Sequence, residues 1–168
     1  MAQTPIKALV ISISDTRHKD DDVSGVTLIG LLLGIKAEVH EKIIVSDDLV
    51  EIKDALMTNS ARDDVNLIIT TGGTGFSRRD NTPEATLAVI EREAPGLAEA
   101  MRRDTGAKAP MAMLSRAVCG SRGHVLIINM PGSPKAVSEC FEVVKPVLAH
   151  AVDLLAGLRG NGRRLFAL

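Results

Sequence analysis

Residues 66–86 read NLIITTGGTGFSRRDNTPEAT, and the order of residue types in this stretch decides the fold. Leu67-Ile68-Ile69 is a short, β-rich run without polar alternation, the pattern of a strand buried on both faces. It leads into Gly72-Gly73-Thr74-Gly75, where absent side chains let backbone N–H groups approach a ligand closely. A polar loop with Arg78, Arg79 and Asp80 follows. Thr82-Pro83-Glu84-Ala85 then opens a helix, with Thr82 as the expected N-cap and Pro83 at the first helical position, where a missing N–H costs nothing. Free N–H groups and the positive end of the helix dipole favour an anion there. Asp80 beside that anion is electrostatically misplaced unless a cation lies between them. The segment predicts a site for a phosphate plus a divalent metal at the end of a strand.

The same grammar recurs outward from this stretch. Ala8 to Ile13 reads as a buried strand that ends near Asp15, and Glu38 to Val45 as a second strand that ends at Ser46-Asp47. Val23 to Leu33 carries a helical apolar stripe, with Ser24 as its expected N-cap and Gly34 as its stop. Asp48-Leu49-Val50-Glu51 is a carboxylate version of the capping box and starts a helix through about Met57. Gly96 to Arg103 predicts a helix after Pro95, and 109–119 has no assignable pattern. Val125 to Met130 is again a buried strand, and Pro134 to about Leu155 a long terminal helix. Strands alternating with helices predict an α/β three-layer sandwich with a mostly parallel sheet. Ligands of such sheets bind beyond the carboxyl ends of the strands, where Asp15, Asp47, the 72–80 segment and Pro131-Gly132-Ser133 all fall. At 168 residues the chain predicts one domain, residues 1–158, with the basic, glycine-containing 159–168 as a flexible tail.

Composition removes several function classes. Aromatic residues are 2% of the chain, with no Trp or Tyr, which denies a nucleic-acid module its stacking platforms. The net charge of −1 offers no general field for a polyanion, so nucleic acid is not an expected partner. Cys119 and Cys140 lack metal-ligand or redox spacing, and His18, His40, His124 and His150 are scattered, which argues against zinc. The longest apolar stretch, around Val26 to Ile35, is too short to span a bilayer, and no cleavage pattern follows Lys7. The expected compartment is the cytoplasm, with no membrane partner.

Individual residues divide between chemistry and architecture. Asp80 and Asp47 are the candidate catalytic and metal-orienting carboxylates, although Ser46, Asp47 and Asp48 are equally good N-caps. Asp15 either meets a ligand or closes a turn. Asp20-Asp21-Asp22 reads as a solvated loop run rather than a cation site. In the later Pro-Gly turn, Ser133 can cap and Pro134 can start the helix. Lys135 there opposes the dipole, as it would beside a bound anion. Ser115-Arg116 offers an anion a guanidinium fork or makes a surface ion pair. Cys119 has no base partner and is expected to be inert.

Taken together, Ile11-Ser12-Ile13-Ser14-Asp15, Thr70-Thr71-Gly72-Gly73-Thr74-Gly75, Arg79-Asp80-Asn81-Thr82-Pro83-Glu84-Ala85, Leu114-Ser115-Arg116 and Met130-Pro131-Gly132-Ser133-Pro134 resemble the MogA/MoaB-type molybdopterin-binding family. The resemblance covers nearly the whole chain up to its last ten or so residues. Asp21-Asp22 followed by Ser24-Gly25 looks more like the MoaB side. The resemblance implies a MogA-like fold assembled as a trimer or hexamer. It also implies Mg²⁺-dependent adenylylation of molybdopterin by ATP with release of pyrophosphate. The family's catalytic acidic positions fall on Asp47 and Asp80. Its pterin and phosphate contacts fall around Ser12, Asp15, Gly72, Gly73, Thr74, Gly75, Ser115, Pro131, Gly132 and Ser133. Some MoaB-type members lack the acidic residue that Asp80 supplies here, which favours an active enzyme. A molybdenum insertion enzyme is the further partner to be expected in such a pathway. A non-catalytic molybdopterin carrier and a nucleotide pyrophosphatase on the same fold are the alternative functions.

Overall fold

The computed structural model describes residues 4–16 and 21–157. The 159–168 tail, like Asp20 and His18, lies outside the described residues. The chain runs β1 (Lys7–Ile13), α1 (Val23–Gly34), β2 (Glu38–Val45), α2 (Leu49–Ser60), β3 (Leu67–Thr71), α3 (Thr82–Leu87), β4 (Arg92–Glu93), α4 (Pro95–Gly106), a 3₁₀ turn (Pro110–Leu114), β5 (Cys119–Arg122), β6 (Val125–Met130) and α5 (Pro134–Leu155).

The six strands form one sheet in the order β2-β1-β3-β6-β5-β4. β2, β1, β3 and β6 are mutually parallel, and β5 runs antiparallel to both β6 and β4. β1 and β3 are buried along almost their whole length, which is why they lack polar alternation. Successive side chains leave opposite faces of each strand and feed two cores. Ala8, Val10, Leu67, Ile69 and Ile128 pack against α1, α4 and α5 through Leu28, Met101 and Phe141. Leu9, Ile11, Ile68 and Ile127 pack on the other face against α2 and α3 through Ile52, Leu56 and Ala85. The result is the expected three-layer α/β sandwich, and the parallel strands deliver their carboxyl ends to one rim.

Some local expectations are corrected. Asp22, not Ser24, caps α1, with its carboxylate accepting from the Gly25 N–H at 3.0 Å. α3 is only six residues long and its Thr82 is not a cap. The Thr82 hydroxyl donates instead to the Gly72 carbonyl at 2.9 Å, and its N–H donates to the Gly73 carbonyl at 3.2 Å. A helix this short, with its first N–H already bonded, cannot serve as the dipole-driven anion site expected from the sequence. Asp48 caps α2 by accepting from Val50 and Glu51 at 2.9 and 3.1 Å, but its own N–H goes to Ser46 Oγ rather than to Glu51. The unassigned stretch after α4 holds the 3₁₀ turn and then β5, and the two-residue β4 carries no sequence pattern of its own.

Candidate functional site

Four parallel strands end at the rim, and the turns that follow are stitched to one another. The Gly72 N–H donates to the Met130 carbonyl at 3.1 Å, and Thr71 Oγ1 donates to the Pro131 carbonyl at 2.7 Å. Ser24 Oγ donates to the Gly132 carbonyl at 2.6 Å, tying the start of α1 to the turn after β6. Ser133 completes that turn by capping α5, its hydroxyl accepting from the Ala136 N–H at 3.4 Å. Lys135 is exposed on the first turn of α5.

Glycine is required in the 72–75 turn. Gly72 and Gly73 take φ of 105° and 63°, and a Cβ would collide with the Ile13 carbonyl at the first and the Thr82 hydroxyl at the second. The same hypothetical Cβ at Gly73 lies 3.3 Å from Asp47 Oδ1, and one at Gly75 lies 2.9 Å from Asp80 Oδ2. The two acidic side chains therefore flank the glycine turn, Asp47 from the end of β2 and Asp80 from the loop before α3. Asp80 Oδ2 accepts from the Ser77 N–H at 2.8 Å, which fixes the loop that carries it.

Asp15 and Asp47 form a reciprocal pair, each carboxylate accepting the other's backbone N–H at 3.0 and 2.9 Å. Asn81 Nδ2 adds a bond to the Asp47 carbonyl at 2.8 Å. Arg79 grips Asp15 with two donors, Nε to Oδ2 at 2.6 Å and Nη2 to Oδ1 at 2.8 Å. The guanidinium holds Asp15 below the ordinary carboxylate range, helped by the Asp47 N–H. Asp47 is pushed the other way: partial burial raises it, and the charges of Asp15 and Asp80 add to that rise against the Asp15 N–H bond and the more distant Arg79. Asp47 is thus an anion short of cations.

A mainly apolar cleft of about 400 Å³ adjoins the glycine turn, and its walls include Thr74, Gly75, Phe76, Met101, Ser115 and Pro131. None of Asp15, Asp47 and Asp80 is among its lining residues. The apolar cleft and the acidic rim meet at Gly75, which lines the one and lies beside Asp80.

Ser12 and Arg116 both have protein partners. Ser12 is fully buried, and its hydroxyl donates to Asp22 Oδ2 at 2.5 Å beneath the start of α1. Arg116 spends its fork on the protein. Nε donates to the Gly75 carbonyl at 2.7 Å, Nη2 to the Asp80 carbonyl at 2.6 Å, and Nη1 meets Glu84. It staples the 75–80 loop to the segment before β5 and stacks over Phe76, 5.6 Å from the ring centroid. Asp22 is not a solvated loop residue but a buried one, also paired with Lys42 Nζ at 2.8 Å. Cys119 is buried and its thiol is pushed up to about 12, as expected of an inert residue.

Sequence reasoning placed Arg79 in the loop but gave it no role. Its signal was a strand-end carboxylate, Asp15, in need of a counter-ion. Asp22, Lys42 and Ser24 were missed as parts of the rim's support, because their partners are distant in sequence.

A family model described as "Probable molybdopterin binding domain" matches residues 9–150. The molybdopterin adenylyltransferase of Helicobacter pylori strain J99 is 40% identical over 154 residues, 88% of this chain and 86% of that protein. Molybdenum cofactor synthesis protein cinnamon of Drosophila melanogaster is 40% identical over 150 residues, 87% of this chain, which spans only 25% of that larger protein. The crystal structure of the molybdopterin biosynthesis enzyme MoaB from Thermus thermophilus superposes with a TM-score of 0.83 at 42% identity, over 90% of this chain and 97% of that one. The glycine turn, its flanking carboxylates and these matches agree: the chain belongs to the molybdopterin-binding domain family that holds MoaB and the molybdopterin adenylyltransferases.

Proposed function

We propose that this chain adenylylates molybdopterin, joining the terminal phosphate of the pterin to the α-phosphorus of ATP and releasing pyrophosphate. The observation that carries the reading is the glycine turn with Asp47 on one flank, Asp80 on the other and an apolar cleft behind it. A planar heterocycle suits the apolar chamber, and a phosphate chain suits the rim.

The nucleophile is a phosphate already anionic at pH 7, so the chain need not supply a strong base. Its task is to align two anions and offset their repulsion. The Gly72 to Gly75 turn lets the reacting phosphates approach the backbone. Thr74, Ser115 and Pro131 line the chamber beside it, and Gly132, Ser133 and Lys135 sit on the neighbouring turn. The buried hydroxyl of Ser12 and the occupied fork of Arg116 act on the frame rather than on the ligand.

The donor set fits Mg²⁺. Asp47 is cation-poor and faces the turn, and Asp80 lies across it. Among the described residues no cluster of three acidic, His or Cys side chains forms a complete metal cage. Mg²⁺ characteristically uses one or two carboxylates, with waters and substrate phosphates completing its shell. When bound, Mg²⁺ supplies charge neutralisation at the phosphates. Asp47 and Asp80 would hold it.

The deciding assay is pyrophosphate release from ATP by the purified chain, with and without molybdopterin, across a Mg²⁺ series. Release that requires both is the expected result. Binding of molybdopterin without release would make the chain a carrier, and nucleotide hydrolysis without the pterin would make it a pyrophosphatase. Exposed apolar side chains such as Phe76, Met111 and Met113 support the further proposal of a trimer or hexamer, to be weighed by light scattering. Action in the cytoplasm, and hand-over to a molybdenum insertion enzyme, belong to the same proposal. Among the described residues no helix is long and apolar enough to cross a membrane.

A further inference from the structure

We infer that Arg79 is a two-station side chain: it is seated on Asp15 and transfers to the phosphate chain of an arriving nucleotide. The inference rests on the nucleotide reading above and adds a residue to it.

Arg79 is bound to Asp15 through two donors, yet its side chain is 58% exposed and that of Asp15 is 35% exposed. Water can solvate both partners as they part, so the pair can open without stranding a buried charge. The guanidinium sits on the loop between the glycine turn and Asp80, and it also feels the charges of Asp47 and Asp48. Its planar fork matches the oxygens of a phosphate as well as those of a carboxylate. Arg116, which clasps this loop from the segment before β5, is fully engaged with Gly75, Asp80 and Glu84 and cannot make the move.

This assignment also explains Asp15. A carboxylate is a poor direct contact for a phosphate. As a parking place for Arg79 it keeps the cation at the rim, and its bonds with Asp47 hold the ends of β1 and β2 together. Arrival of a polyanion gives Arg79 a more highly charged partner. Asp15 is then a positioning residue that acts through Arg79.

Two stations predict non-additivity, which a double-mutant cycle measures. Binding of Mg·ATP, without molybdopterin, is measured by titration calorimetry for wild type, Arg79→Gln, Asp15→Asn and the double variant. Arg79→Gln should weaken binding about tenfold or more. Asp15→Asn should tighten it about threefold, since Arg79 no longer has to leave a partner. In the Arg79→Gln background the Asp15 change should lose most of that gain. The Arg79 Nε–H resonance should shift on addition of Mg·ATP and on Asp15→Asn alone. Additive effects, or an Arg79→Gln protein with wild-type affinity, would overturn the exchange while leaving the adenylyltransferase reading intact. Failure of the wild type to bind Mg·ATP would overturn both.

Discussion

Two acidic groups at the same rim have opposite fates, and the contrast separates an architectural carboxylate from a chemical one. Asp22 is 1% exposed, and three bonded partners favour its charge: Lys42 at 2.8 Å, the Ser12 hydroxyl at 2.5 Å and the Gly25 N–H at 3.0 Å. Burial works against its ionised form, but these partners outweigh burial and hold it below the usual carboxylate value. Asp47, at the end of the strand that carries Lys42, is pushed up, first by burial and then by the charges of Asp15 and Asp80. A carboxylate the fold has completed is part of the scaffold. A carboxylate left short of cations keeps its affinity for something that arrives.

The sharpest way to break the comparison is to delete the completed member. Asp22→Ala strands Lys42, whose side chain is only 14% exposed, and removes the cap of α1. Breaking a buried pair costs about 3–5 kcal/mol, which for a chain of this size lowers Tm by roughly 10 °C. Thermal unfolding followed by circular dichroism checks it, and a shift under a few degrees would show that the pair is not structural.

Asp80→Asn probes the incomplete side. Asn keeps an oxygen to accept from Ser77, so the loop should hold and only the charge goes. Removing one electrostatic contributor of this kind raises the barrier by about 2.7–4 kcal/mol. Pyrophosphate release should fall by two to three orders of magnitude with Tm unchanged, and undiminished turnover would remove Asp80 from the chemistry.

Acid titration of stability should carry opposite signs for the two groups. The folded-state pKa of Asp22 lies below the unfolded value of 3.8, so its contribution is full above 3.8 and is lost as pH falls through the lowered pKa. Asp47 has a raised pKa, so its ionisation penalty is full above that value and is relieved as pH falls through it toward 3.8. Urea unfolding between pH 3 and 7 should therefore show Asp22→Asn flattening the acid loss, and Asp47→Asn flattening the relief. At neutral pH the smallest effect is expected: Asp47→Asn should leave stability unchanged or raise it by less than about 1 kcal/mol, because it removes repulsion at a half-buried site.

Much of this molecule is legible in its sequence because the parallel strands are. β1, β2, β3 and β6 announce themselves by dense β-branched runs, and their ends could be found to within two residues. Arg92–Glu93 and Cys119–Arg122 could not, since strands of two and four residues carry no periodicity. Capping errors have one cause: a hydroxyl or carboxylate near a helix start chooses among acceptors and donors that only the tertiary fold supplies. Thr82 found the Gly72 carbonyl, and Ser24 found Gly132. The site divided in the same way. Asp47, Asp80 and the glycine turn were readable as local chemistry. The counter-ion of Asp15 was not, because Arg79 stands 64 residues away.

The stitching of the two turns has a consequence for how the protein comes into being. The wall shared by Thr71 and Pro131 joins segments separated by 60 positions, and a similar interval lies between the paired strands β3 and β6. Closing so long an interval is entropically slow. During synthesis the glycine turn must therefore wait, unformed, until β6 has emerged from the ribosome and docked. Ligand recognition is acquired as one of the last acts of folding.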